Sequence, residues 1–308
     1  MRVLVTGGYG FLGHHVCEEL ENKGHQPLRF HSSEYNLIEK DHCKSILETH
    51  YPDAVIHLAA RVGGIGANRD NPATFAYENL MMGTNIIQEC YWSRIKKLVI
   101  AGTICSYAKF TPIPFKEKDF WEGGYPEETN APYAWAKKML LVLSQAYRQQ
   151  HCCNFVFLLP VNLYGPRDNF DLNSSHVIPA MIRKFHEAAI NNEPVVTLWG
   201  DGTPTREFLY VEDCAKAFVK TLESYDSPEP MNIGSGKEIV MTDLANKIKE
   251  LVGYVGEIRW DSSKPNGQPR RCLDTSRAKE KIEWESTTTL DEGLKKTYQW
   301  FLENKEKT

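Results

Sequence analysis

Residues 3–16 read VLVTGGYGFLGHHV, and this stretch limits the chain to few folds. A β-branched apolar run gives way to glycines at Gly7, Gly10 and Gly13, and the amphipathic segment HHVCEELENKGH follows. Glycine permits a positive φ and lets a backbone approach a diphosphate closely. A helix start placed there offers free N–H groups and a partial positive charge. A glycine triplet alone is weak evidence. It gains weight when it closes the first strand of an alternating strand–helix chain.

The chain continues in that alternation. PLRFH reads as a second strand, DHCKSILETHYP as a helix and DAVIHLAA as a third strand. The long helical stretch PATFAYENLMMGTNIIQECYWSRI leads into the strand KKLVIAG. YAWAKKMLLVLSQAYRQQH then reads as a helix and NFVFLLP as a strand. Near-continuous apolar strands separated by helices imply a parallel sheet covered on both faces. The expected class is α/β: a Rossmann-type doubly wound parallel sheet with a smaller α+β substrate-binding C-terminal domain. After Pro160 loops rich in Asn, Gly and Pro appear, as in VNLYGPRDNFDLNSSH and LWGDGTPTREF. FLYVEDCAKAFVKTLES looks like a return to the sheet. The expected division is 1–165 for dinucleotide binding, with a return segment near 207–232, and 166–308 for substrate. The closing ENKEKT is expected to fray.

Composition narrows the function. The 308 residues carry a formal net charge of −4, which points away from nucleic acid and anionic membranes. No apolar run reaches the roughly 18 residues of a membrane span. MRVLVTGGYG reads as a strand and a turn rather than a signal peptide, so a cytoplasmic location is expected. None of the eight cysteines forms a CxxC pair, so structural zinc is not expected. Most should be reduced and buried.

The second strand bears on the cofactor. An acid closing it would bind a ribose 2′-OH and repel a 2′-phosphate. Here the run is LRFHSSEYNL: Arg29, His31, Ser32 and Ser33 come first and Glu34 follows. That pattern favours NADP(H).

In APYAWAKKML, Tyr133 and Lys137 lie one helical turn apart on one face. Asn130 and Pro132 mark a helix start, which puts Tyr133 in the first turn, facing the carboxyl ends of the strands. A tyrosine hydroxyl there, with a nearby ammonium and an oxidised nicotinamide lowering its pKa, passes a proton while hydride moves to carbon.

Gly7, Gly10 and Gly13 with Tyr133-x-x-x-Lys137, and Thr103 at the end of KKLVIAGT, resemble the extended short-chain dehydrogenase/reductase family. The resemblance covers nearly the whole chain. The runs RVGGIGANRDNPATFAYENLMMGTNII, NLYGPRDNFDLNSSHVIPAMIRKFHEA, WGDGTPTREFLYVED and SKPNGQPRR are similar to a narrower branch. Its members invert C3 and C5 of a GDP-4-keto-6-deoxy-mannose and reduce C4 with NADPH. The resemblance implies that Cys105 and His176 are base and acid for the inversions. Thr103, Tyr133 and Lys137 then serve the reduction. Cofactor contacts are expected from Gly7, Gly10, Phe11, Leu12, Gly13, Arg29, Ser32, Ala59, Ala60, Lys137, Pro160, Asn162, Leu163 and His176. Lys184, Trp199, Arg206, Asn266, Arg270 and Arg271 are the expected contacts to the GDP-sugar. The family also implies a homodimer through a four-helix contact. GTICSYA departs from the branch's usual Gly-Ser-Ser-Cys-Ile-Tyr-Pro, which leaves room for a related GDP-4-keto-hexose or heptose, reduced with or without epimerisation. A nucleotide-sugar 4-epimerase with tightly bound NAD, and a cofactor-binding protein without turnover, are the rival readings.

Overall fold

The central sheet has six strands in the order β2-β1-β3-β4-β5-β9, every pair parallel. These are β1 (Arg2–Thr6), β2 (Gln26–Leu28), β3 (Ala54–His57), β4 (Lys97–Ala101), β5 (Phe155–Pro160) and β9 (Met231–Ile233). The computed structural model describes residues 1–172, 174–264 and 266–305; the last residues of ENKEKT lie outside them. β3 and β4 are buried at every position, which explains the apolar runs that precede His57 and follow Lys97. β2 is shorter than the sequence suggested: it ends at Leu28, and Arg29 and His31 turn aside to cover the Tyr9 ring.

Connections place the helices. The chain moves one way across the sheet through α1 (Phe11–Asn22) and back through α2 (Lys40–His50). Right-handed crossovers therefore set α1 and α2 on opposite faces. α3 (Ile65–Asp70) is short; α4 (Pro72–Trp92) and α5 (Ala131–His151) continue on the α2 face and pack against each other. The reversal of direction falls between β1 and β3, so the crevice for a dinucleotide opens at their carboxyl ends.

The rest of the chain builds a second core. β6 (Asn162–Tyr164), β8 (Thr205–Tyr210) and β10 (Glu238–Val240) form one small sheet, while β7 (Val195–Trp199) and β11 (Glu257–Asp261) pair in another. α6 (Val177–Asn191), α8 (Met241–Val252) and α10 (Leu290–Asn304) pack there around Phe185, Leu244, Ile248 and Phe301. α7 (Val211–Ser224) leaves this region and packs on α1; Leu273, Trp284 and residues of α9 (Ser276–Ile282) join the first core too.

Glu207 ties these parts together. It is fully buried on β8 and accepts the backbone N–H of Leu273 at 2.6 Å and of Gly236 at 2.7 Å. Burial pushes its carboxyl up to about 7, although both hydrogen bonds pull the other way. Glu207→Ala strands the buried Leu273 donor and the partly buried Gly236 donor and should lower stability by roughly 2 kcal/mol, read by urea unfolding at constant pH.

Candidate active site

The glycine turn is built from the backbone. Gly7 has φ +71°, and a Cβ there would meet Ala59 N at 2.9 Å. Gly10 caps α1 without any side-chain hydrogen bond, so the helix N-terminus keeps its N–H groups for a ligand. A groove of about 800 Å³ runs from this turn past the ends of β3, β4 and β5. Gly7, Gly10, Phe11, Leu12, Gly13, Ser32, Ala59, Ala60, Thr103, Tyr133, Lys137, Pro160, Leu163 and His176 all line it. The open helix end and the glycine-rich turn fit the diphosphate of a dinucleotide.

Two expected cofactor residues are placed differently. Arg29 is not among the groove-lining residues; its guanidinium lies 5.3 Å from the centre of the Tyr9 ring, because β2 ends early. Tyr9 in turn stacks on His31, with ring centres 4.0 Å apart and planes within 2°. Asn162 lines the neighbouring cleft, where its amide donates to the Glu207 carbonyl oxygen at 3.0 Å. Glu34, the nearest acid in the sequence, accepts the His31 backbone N–H at 3.0 Å.

At the end of β4 the chain turns tightly through Ile104–Ser106. The Thr103 hydroxyl accepts the Cys105 backbone N–H at 3.2 Å, which fixes the two side chains relative to each other. Tyr133 stands in the first turn of α5 and shares a hydrogen bond with Thr103. Burial, and next the proximity of Cys105, raise its pKa well above the usual phenol range. Lys137 is not among the groups acting on the phenol in the protein alone. The Lys137 ammonium donates instead to the Ala101 carbonyl oxygen at 3.0 Å, and burial brings its pKa down to about 8. Behind it His57 is fully buried and held neutral, with its pKa lowered by burial to about 3. Its Nδ1 lies 2.8 Å from the Thr6 hydroxyl.

A second cleft joins the groove at His176, which lines both. His176 caps α6, and its exposed surface faces these cavities; desolvation by their walls lowers its pKa. Cys105, Lys184, Trp199, Arg206, Asn266 and Arg271 line the same cleft. Cys105 Sγ lies 3.3 Å from an Arg271 Nη1 donor. Arg206 is brought down to about 10 by burial and then by Arg271, and donates to the carbonyl oxygens of Thr205 and Asn266. Lys184 donates to Thr197 O at 3.2 Å, and Trp199 stands half exposed at the rim. Arg270 is the exception: it pairs with Glu238 at 2.5 Å and is not among the cleft-lining residues. Adjacent loop residues point apart here, and no periodicity foretells which one faces in. Asn130 and Gln268 also line the cleft and were not singled out as site residues from the sequence. Asn130 was read as a helix start, and Gln268 sits inside a run that drew attention for its neighbours.

Comparison with known proteins agrees with this geometry. The profile of the NAD dependent epimerase/dehydratase family matches residues 3–234. The chain belongs to that family. A GDP-L-fucose synthase of Sinorhizobium fredii is 42% identical, over 98% of this chain and 96% of the relative. The structure of a GDP-L-fucose synthetase from Naegleria fowleri bound to NADP aligns with TM-score 0.90 and 30% identity, covering 99% of this chain and 95% of that one. A GDP-6-OMe-4-keto-L-xylo-heptose reductase from C. jejuni aligns with TM-score 0.93 at 26% identity, covering 98% of each chain.

The Ser32 end of the groove yields a test. A carboxylate introduced there faces the ribose of the adenosine half. Ser32→Glu should weaken NADPH binding by about tenfold or more while leaving NADH binding within a few-fold, measured by nicotinamide fluorescence titration.

Proposed function

We propose that this chain is an NADPH-dependent 3,5-epimerase and 4-reductase that converts GDP-4-keto-6-deoxy-mannose to GDP-L-fucose. The observation that carries the reading is the single cleft lined by Cys105 and His176, joined through His176 to the groove of Thr103, Tyr133 and Lys137. A thiol and an imidazole serve proton exchange, and a phenol serves carbonyl reduction. A C4 ketone makes the hydrogens on C3 and C5 acidic. In the proposed sequence the Cys105 thiolate takes the proton from carbon, and the electron pair moves into an enolate on O4. His176 in its protonated form returns a proton to the opposite face, and repetition at the second carbon inverts both centres. The chemistry that bound NADPH supplies is hydride for C4. Tyr133 gives its proton to O4, and Thr103 holds the phenol in line. Lys137, which lines the same groove, would orient the ribose and replenish the phenol proton. Identity near 40% to a GDP-L-fucose synthase over the full chain supports the whole assignment.

The likeness in backbone to the C. jejuni heptose reductase favours one other reading, a 4-reductase acting on a GDP-4-keto-heptose. A panel of GDP-4-keto sugars mixed with NADPH, followed at the nicotinamide absorbance band, separates the two. We also propose that the enzyme is a homodimer through α4 and α5. Trp135, Met139 and Val142 form an exposed stripe on α5, with Tyr77 exposed on α4. Met139→Glu should yield a monomer by light scattering. Among the described residues no helix is long and apolar enough to cross a membrane. All eight cysteines are free thiols, which supports a reducing compartment such as the cytoplasm.

In heavy water without cofactor, the protein should place deuterium at C3 and C5 of the substrate; mass spectrometry showing none would remove the epimerase half. The 4-reduction should also depend on pH in a defined direction. Lys137 is protonated below about 8 and loses its proton above it, while the phenol stays protonated throughout. The reduction rate should fall as pH rises through that value, and Lys137→Met should abolish this limb in a single-turnover assay.

A further inference from the structure

Arg271 was expected to bind the GDP-sugar, but its Nε and Nη1 are engaged by the protein itself. Its Nε donates to Gln268 Oε1 at 2.7 Å, and its Nη1 points at Cys105 Sγ at 3.3 Å. Gln268 is itself anchored: its amide donates to the Lys109 carbonyl oxygen at 2.8 Å. Lys109 follows Cys105 by four residues, on the same loop beyond β4. A closed brace results, running from the Cys105 loop through Gln268 to Arg271 and back to the sulfur. Both Gln268 and Arg271 are buried, at 3% and 7% exposure. Solvent therefore screens the guanidinium–sulfur contact weakly. The other groups facing the sulfur are Arg206, Tyr133 and, across the cleft, His176. Arg206 is further from use here, since its Nη groups donate to two carbonyl oxygens and Glu127 lies near it. Tyr133 is protonated and carries no charge.

We propose that Gln268 is a positioning residue that holds Arg271 against Cys105, and that the Arg271 guanidinium stabilises the Cys105 thiolate for proton abstraction rather than binding the sugar nucleotide. The proposal rests on the reading of Cys105 as the carbon base. A guanidinium fixed at this distance supplies a charge-assisted donor to the sulfur anion. Charge-assisted donation from an arginine fork also fixes the sulfur's direction, which a flexible lysine would not do as well. Lys184 and Arg206 stand on the same cleft wall.

The test uses the intact protein loaded with NADPH. Alkylation of Cys105 by iodoacetamide is followed peptide by peptide against pH, beside deuterium entry at C3 and C5. In Arg271→Gln and in Gln268→Ala, alkylation and exchange at neutral pH should both slow by about tenfold. Both should recover as pH rises, because hydroxide then makes the thiolate. Arg271→Lys should fall between, since one ammonium cannot serve Gln268 and the sulfur in a fixed fork. NADPH binding should be unchanged, because neither residue lines the dinucleotide groove. A wild-type alkylation profile in Arg271→Gln, with only the KM for the GDP-sugar raised, would overturn the proposal. If Arg271→Gln fails to bind NADPH, the Lys variant decides: alkylation at the wild-type rate sinks the idea. Cys105→Ser separates the two readings, for if it still exchanges deuterium the thiol base itself is wrong, whatever Arg271 does.

Discussion

A Cβ on residue 13 would sit 2.0 Å from the carbonyl oxygen of Gly7, so α1 can begin against the end of β1 only with glycine at that place. The rest of the site follows from this backbone-to-backbone contact. It sets the open N-terminus of α1 at the mouth of the crevice, where the sheet reverses direction. The parallel pairing then brings the ends of β3, β4 and β5 to the same edge. Thr6, Ala59, Thr103 and Pro160 thus line one groove although they are far apart in the chain. Neither metal ligation nor disulfide bonding is invoked in this construction; it depends on close packing and on strand direction.

The chemistry is arranged by burial as much as by charge. Tyr133 and Lys137 lie one turn apart, but the ammonium is turned to the Ala101 carbonyl oxygen and the phenol to Thr103. Burial favours the neutral form of each, so the phenol keeps its proton and the lysine releases one near pH 8. That polarity suits a site that donates a proton to a newly reduced oxygen. On the far side, Cys105 is held between Thr103 and Arg271, at the junction of the sheet end and the second cleft.

Features made by neighbours in sequence were legible before the structure. The glycine spacing, the Tyr133–Lys137 turn and the buried parallel strands are local patterns with fixed periods, and each element formed where those periods place it. Features made by loops were not. Cys105 and Arg271 are separated by 166 positions, and Gln268 and Lys109 by 159. Nothing in the run SKPNGQPRR marks Arg271 as facing inward and Arg270 as paired outward with Glu238. Irregular chain has no period from which a facing can be read. The stack of Tyr9 on His31 and the placement of Arg29 were hidden for a related reason: they follow from β2 stopping at Leu28, and strand ends are weakly encoded.

α5 carries two surfaces on one cylinder. Tyr133 and Lys137 look into the groove, while Trp135, Met139 and Val142 stand outward, two to nine positions away on the same rigid rod. Any tilt imposed on the outward side is transmitted to the phenol without an intervening joint. Sequence drift on the two sides is therefore mechanically linked: a change of bulk at the surface and a change of alignment at the reacting oxygen are one event seen from opposite ends.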